Sequence, residues 1–184
     1  MDFAAIFQSV VSDPRYQQNL DWGQPRSGHP EGTVQAHITE LEENLDVLRP
    51  NLSDAEFWQL RLLIHTHDTF KAEAKPGVAI TDPESHASLA RTFLAEFCSD
   101  QDLLAMVQYH DEPFALWRQW RSKGKHNSQR FNSLLDAISA WDLFLAFNII
   151  DGCTIGKSRE PLHWFLTEVQ PRVKSRFSAS DIID

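Results

Sequence analysis

Two residues side by side suggest the chemistry of this chain. His67 and Asp68 close the run Leu62-Leu63-Ile64-His65-Thr66-His67-Asp68-Thr69-Phe70-Lys71, with Lys71 one helical turn on. Neighbouring side chains of this kind can address one point only if it is large and central, and a metal ion is the obvious occupant. Three more histidines, His37, His86 and His110, fall on the inward faces of other expected helices, each near a helix end or loop. Asp111 follows His110, and Asp142 and Asp151 lie in a late apolar stretch. Converging buried imidazoles repel one another when protonated and lack donors when neutral, and a divalent ion removes both problems. Imidazole mixed with carboxylate suits Fe, Mn, Co, Ni or Zn better than Mg or Ca, with room for one or two ions. Each residue also has a plainer reading: a hydrogen-bonded core histidine, an Asp–His pair, or a surface residue at a helix end.

The elements that must carry these groups read as helices. Phe3, Ile6, Phe7, Val10 and Val11 give a short amphipathic helix over residues 3–12. Residues 13–30, with Pro14, Gly23, Pro25, Gly28 and Pro30, read as a long ordered loop. A helix over about 31–48 carries His37 on the stripe Val34, Leu41, Leu45, Leu48, and Pro50 ends it. Ser53 and Glu56 form a capping box that starts the helix of His67. Its face holds Phe57, Leu60, Ile64, His67 and Lys71, and His65 lies off it. Asp82 and Pro83 are the expected start of the helix of His86, and Asp100 caps the helix of His110. One long helix is expected over 128–151, a last one over 160–177, and a frayed tail over 178–184.

Composition narrows the class. The 184 residues suit one domain over 1–184, with a lead-in over 1–28 and a motif-bearing core over 29–168. Twelve Phe, six Trp and only seven Gly favour an all-α bundle of about six to eight helices around the site. The net charge of −9 disfavours duplex nucleic acid. Cys98 and Cys153 form neither a metal motif nor a disulfide framework and read as reduced. Without a basic, apolar leader or a membrane-length apolar run, the expectation is a cytoplasmic chain with no membrane partner.

Basic residues are few enough to name. Arg118, Arg121, Lys123, Lys125 and Arg130 make 117–130 a basic segment: a solvated connection, or a flap carrying a cation to an anionic substrate. Lys157 and Arg159 follow Asp151. Gly156-Lys157-Ser158 looks like the end of a phosphate loop, but the upstream Gly is misplaced and a helix, not a strand, precedes it.

In order, these motifs resemble the HD superfamily of metal-dependent phosphohydrolases. HPEGTVQAH, ending at His37, is similar to its first motif. LLIHTHDTFK is similar to the central one, with Phe70 where the family often has Gly. FLAFNIIDGCTIGK is similar to the last, with Asp151 preferred to Asp142. The resemblance implies an HD-like bundle in which His37, His67, Asp68 and Asp151 hold one ion. Asp68 bridges to a second, held by His86 and His110, and Asp111 stands where some two-metal members have a histidine. It implies metal-activated water attacking a phosphomonoester or phosphodiester, with a nucleotide or another small phosphorylated metabolite as substrate. Asp68 and Lys71 would be catalytic, and Lys71, Arg118, Lys157 and Arg159 would bind substrate. The signature of cyclic-dinucleotide phosphodiesterases is missing. Mixed-valent di-iron oxygenases of the same superfamily use the same ligand order, and a metal-stabilised binding protein without catalysis is the third reading. Oligomeric state is not legible.

Overall fold

The computed structural model describes residues 1–183. It is helical: α1 Phe3–Val11, α2 Pro14–Asn19, α3 Val34–Leu48, α4 Asp54–Thr66, α5 His86–Ala95, α6 Gln101–Tyr109, α7 Glu112–Lys123, α8 Ser128–Ala137, α9 Trp141–Gly152 and α10 Glu160–Val169. Short 3-10 turns occupy Arg49–Asn51, Thr69–Ala72 and Ala179–Asp181. Among the described residues the only β pairing is two isolated bridges, Gly23 with Thr33 and Arg26 with His29.

Side-chain caps set most helix starts. Asp2, Asp13, Thr33, Ser53, Ser85, Asp100 and Asn127 each accept a hydrogen bond from a backbone N–H in the first turn. At Ser53 the box with Glu56 is complete. Gly124, at φ +68°, ends α7 in a left-handed cap.

α9 is the axial helix. Phe144, Ala146, Phe147, Ile149 and Ile150 are all buried, and α3, α4 and α10 pack around it. A helix buried on several sides needs no polar stripe, so its one inward carboxylate, Asp151, stands out.

Several boundaries differ from the sequence expectation, and this raises the helix number above six to eight. The 13–30 stretch contains α2, because Asp13 caps it and Pro14 fits a first turn. α3 begins at Val34, since Thr33 is its cap. α5 begins at His86 with Ser85 as cap, whereas Asp82 closes a tight turn onto the Glu84 N–H at 2.9 Å. Much of the basic 117–130 segment is helix, as α7 runs to Lys123.

The long helix over 128–151 is two helices bent by 117°. Asp102 of α6 causes the break: its carboxylate accepts from the N–H groups of Ser139 at 2.7 Å and Ala140 at 2.6 Å. The last helix stops at Val169 rather than near 177. The chain beyond it is pinned rather than frayed: Phe177 is buried, and Ser178 and Asp181 form a capping box. Asp184 lies outside the described residues. No single helix among the described residues is long and apolar enough to cross a membrane.

Candidate metal centre

Five helices bring the ligand-type residues together. His37 lies in the first turn of α3, and His67 and Asp68 lie where α4 gives way to a 3-10 turn. His86 opens α5, His110 caps α6 and Asp151 stands in the last turn of α9. Helix ends suit this purpose, because side chains there project past the packed cylinder toward a common point.

The groups form two triples that share Asp68. In the first, the ligand atoms of His37, His67 and Asp68 all lie within 4.8 Å of one another; in the second, so do those of Asp68, His86 and His110. Asp68 offers a different oxygen to each side. Its Oδ2 is 3.4 Å from His67 Nε2, and its Oδ1 is 3.4 Å from His110 Nε2 and 3.7 Å from His86 Nε2. Asp151 Oδ1 joins the first triple, 3.0 Å from His37 Nε2. Asp111 Oδ2 borders the second, 3.2 Å from His86 Nε2, on a half-exposed side chain.

The donor set suits a divalent ion. His67 Nδ1 is 2.9 Å from the Ile64 carbonyl and His110 Nδ1 is 2.8 Å from that of Val107. A carbonyl only accepts, so both Nδ1 atoms carry a proton and both Nε2 atoms face inward. A carbonyl behind the ring is how metal-bound histidines are usually oriented. His67 Nε2 and Asp68 Oδ1 are buried and have no hydrogen-bond partner. Such atoms are costly in a folded interior, and an ion in each triple would satisfy both, His67 Nε2 in the first and Asp68 Oδ1 in the second. The Nε2 atoms of His86 and His110 stand 3.1 Å apart, a usual distance between two ligands of one ion.

The charges are balanced by two lysines. Lys71 donates to Asp68 Oδ2, and Lys157 donates to Asp151 Oδ1 at 2.7 Å. Burial favours the neutral form of Asp68, but Lys71, His67 and His110 outweigh it and hold the carboxyl well below its usual range. Asp151 behaves alike, with Lys157 and His37 overcoming burial. Burial also lowers the pKa of His67, with Asp68 opposing, whereas Asp111 and Asp68 raise that of His110 against its burial. Against its own burial, Lys71 is held above its ordinary value by Asp68 and Asp111.

A cavity of about 510 Å³ opens on this cluster. Its polar side carries His67, Asp68, His110, Asp151 and the two lysines; Phe114, Trp117 and Phe165 face it. Such a volume suits a small organic ligand.

Other residues expected at the site lie elsewhere. Asp142 is at the far end of α9, bound to Ser175 Oγ at 2.7 Å and to the Arg176 guanidinium at 2.7 Å. Nine helical steps separate it from Asp151, about 13 Å. Arg118 is exposed and lines a neighbouring cavity of about 950 Å³, which meets the first at Lys71, Asp111 and Phe114. Arg159 is consumed by structure: its guanidinium donates to the carbonyls of Gly152, Cys153, Thr154 and Lys157, closing the end of α9. His65 sits apart, between Tyr16 Oη at 2.6 Å and Glu42 Oε1 at 2.8 Å.

The sequence reading passed over His29 and Glu31, which belong to a further group with His37. Both lie in the loop ahead of α3, where a search along helix faces does not look. Their two-residue spacing in His29-Pro30-Glu31 was the available signal, since extended residues two apart share a side. Glycines hold the loop in place. A Cβ on Gly23 would come 2.3 Å from the Gly32 carbonyl oxygen, and one on Gly156 would strike the Pro30 ring. The loop of His29 and the loop after Asp151 therefore pack against each other.

No family model, no curated protein and no solved structure matches this chain.

Proposed function

We propose that this chain is a metal-dependent phosphohydrolase of the HD type, acting on a phosphate ester of a nucleotide or another small metabolite. One observation carries the reading: Asp68 turns one carboxylate oxygen to His67 and the other to His86 and His110. A carboxylate flanked by imidazoles on both edges is the arrangement of a ligand shared by two ions. The ordered motifs around His37, His67-Asp68 and Asp151 agree with it.

A bound divalent pair supplies an activated water and Lewis-acid stabilisation of charge at phosphorus. The chain's own groups do the rest. Lys71 and Lys157 border the cavity with positive charge and give a phosphate two ammonium partners. Asp68 and Asp151 keep these ammonium groups fixed when no substrate is present. The Phe114 and Trp117 rings, stacked at 5.4 Å, limit water on the far side and offer a flat surface to an organic leaving group.

The test is metal content and activity on one preparation. Protein purified anaerobically should hold a transition metal and release inorganic phosphate from an aryl phosphate, and Asp68→Asn should lose both. Substrate-dependent oxygen uptake by a two-iron protein, with no phosphate release, would replace this reading with oxygenase chemistry. Metal retention with neither activity would leave a binding protein.

A further inference from the structure

The loop ahead of α3 carries a third set of converging ligand atoms. We propose that His29, Glu31 and His37 form an additional site for a divalent transition-metal ion, outside the two triples that share Asp68. It rests on the reading of the main centre only through His37, which belongs to both.

The ligand atoms of His29, Glu31 and His37 lie within 4.8 Å of one another. Glu31 Oε1 is 2.9 Å from His29 Nδ1 and 3.1 Å from His37 Nδ1. Around an ion with bonds of about 2.0–2.1 Å in tetrahedral geometry, neighbouring ligand atoms stand about 3.3 Å apart, close to these separations.

His29 Nδ1 and Glu31 Oε1 share one hydrogen bond at 2.9 Å, and the rest of the group is left unsatisfied. The Glu31 side chain is only 4% exposed and that of His37 5%. Yet Glu31 Oε2 has no hydrogen-bond partner, and neither does His37 Nδ1, which is close to Oε1 but out of line for a bond. An anionic oxygen bare in a dry interior is costly. His67 Nε2 and Asp68 Oδ1 carry the same mark in the main centre.

The donor set of two imidazoles and a carboxylate selects zinc or its transition-metal neighbours over magnesium or calcium. Three protein ligands leave a coordination position open. His29, 26% exposed on its side chain, borders the central cavity and gives access. His37 faces Asp151 with Nε2 and Glu31 with Nδ1. The two centres would therefore meet at one imidazole ring.

Equilibrium dialysis of the full chain against zinc, with ions per chain counted, tests this. Wild type should bind three ions, and His29→Ala and Glu31→Gln two each. His86→Ala, at the rim of the second triple, should keep the outer ion. Equal counts for wild type and His29→Ala overturn the proposal. Loss of metal in Glu31→Gln but not in His29→Ala also overturns it, since Glu31 then merely orients His37. If wild type binds a single ion and His29→Ala abolishes it, this site stands and the main centre fails.

Discussion

Lys157 places its ammonium 2.7 Å from Oδ1 of Asp151, the same oxygen that faces His37 Nε2 at 3.0 Å. One carboxylate oxygen thus joins the first motif of the chain to the last, across 114 positions. The lysine that neutralises it also borders the cavity. The metal-capable cluster and the cationic wall of the cavity are therefore coupled, and each can be perturbed separately.

Asp68→Asn should lower metal affinity more than about 100-fold, the upper end for losing an outer-shell partner alone. Asp68 faces both triples, so both should weaken together, whereas His86→Ala should spare the first. Metal retained after dialysis against a mild chelator is the measurement.

Saturating metal should raise the unfolding temperature of wild type. An ion at 100 times its dissociation constant adds about 2.7 kcal/mol. His67→Ala removes a buried member of the first triple and should reduce the metal-dependent gain by that ion's share. Scanning calorimetry with and without zinc reads the difference.

The metal-free protein should lose stability steeply in acid. The folded-state pKa values of Asp68 and Asp151 are depressed, so their contribution is complete above the unfolded value of about 3.9 and disappears as pH falls through the folded values. Asp151→Asn, which takes up no proton, should show a flatter decline below about pH 4. Urea midpoints measured from pH 2 to 6 in the presence of chelator check the sign.

Lys71→Met should reduce kcat/KM for an aryl phosphate by about 10²-fold, as expected for a charge that holds a phosphoryl oxygen. Arg118→Met should leave it within about twofold, because Arg118 is exposed and outside the central cavity. Steady-state phosphate release separates the two.

Asp102→Ala should cost about 0.5–2 kcal/mol, the usual range for a lost helix cap. Its carboxylate holds two N–H groups at the start of α9. Metal affinity should also fall modestly, since α9 carries Asp151. Urea denaturation with a parallel zinc titration measures both.

The sequence by itself determined the helical class, the Ser53 and Asp100 caps, and the histidines that face inward. These follow from local rules: the Ser53–Glu56 box, the Asp100 cap, and apolar spacing that places His37 with Leu41 and Leu45. Tertiary structure decided what local rules do not encode. The break between α8 and α9 is made by Asp102, 37 positions away from Ser139, and no property of residues 138–140 announces it. Asp142 and Asp151 are both acids on the same helix, and only packing sends one to Arg176 and the other to His37. Arg159 could not be told from a substrate-binding arginine until four carbonyls were found around it. Helical pattern is a property of neighbours in sequence. A shared ligand point depends on neighbours in space, and those distances exist only once the helices have packed.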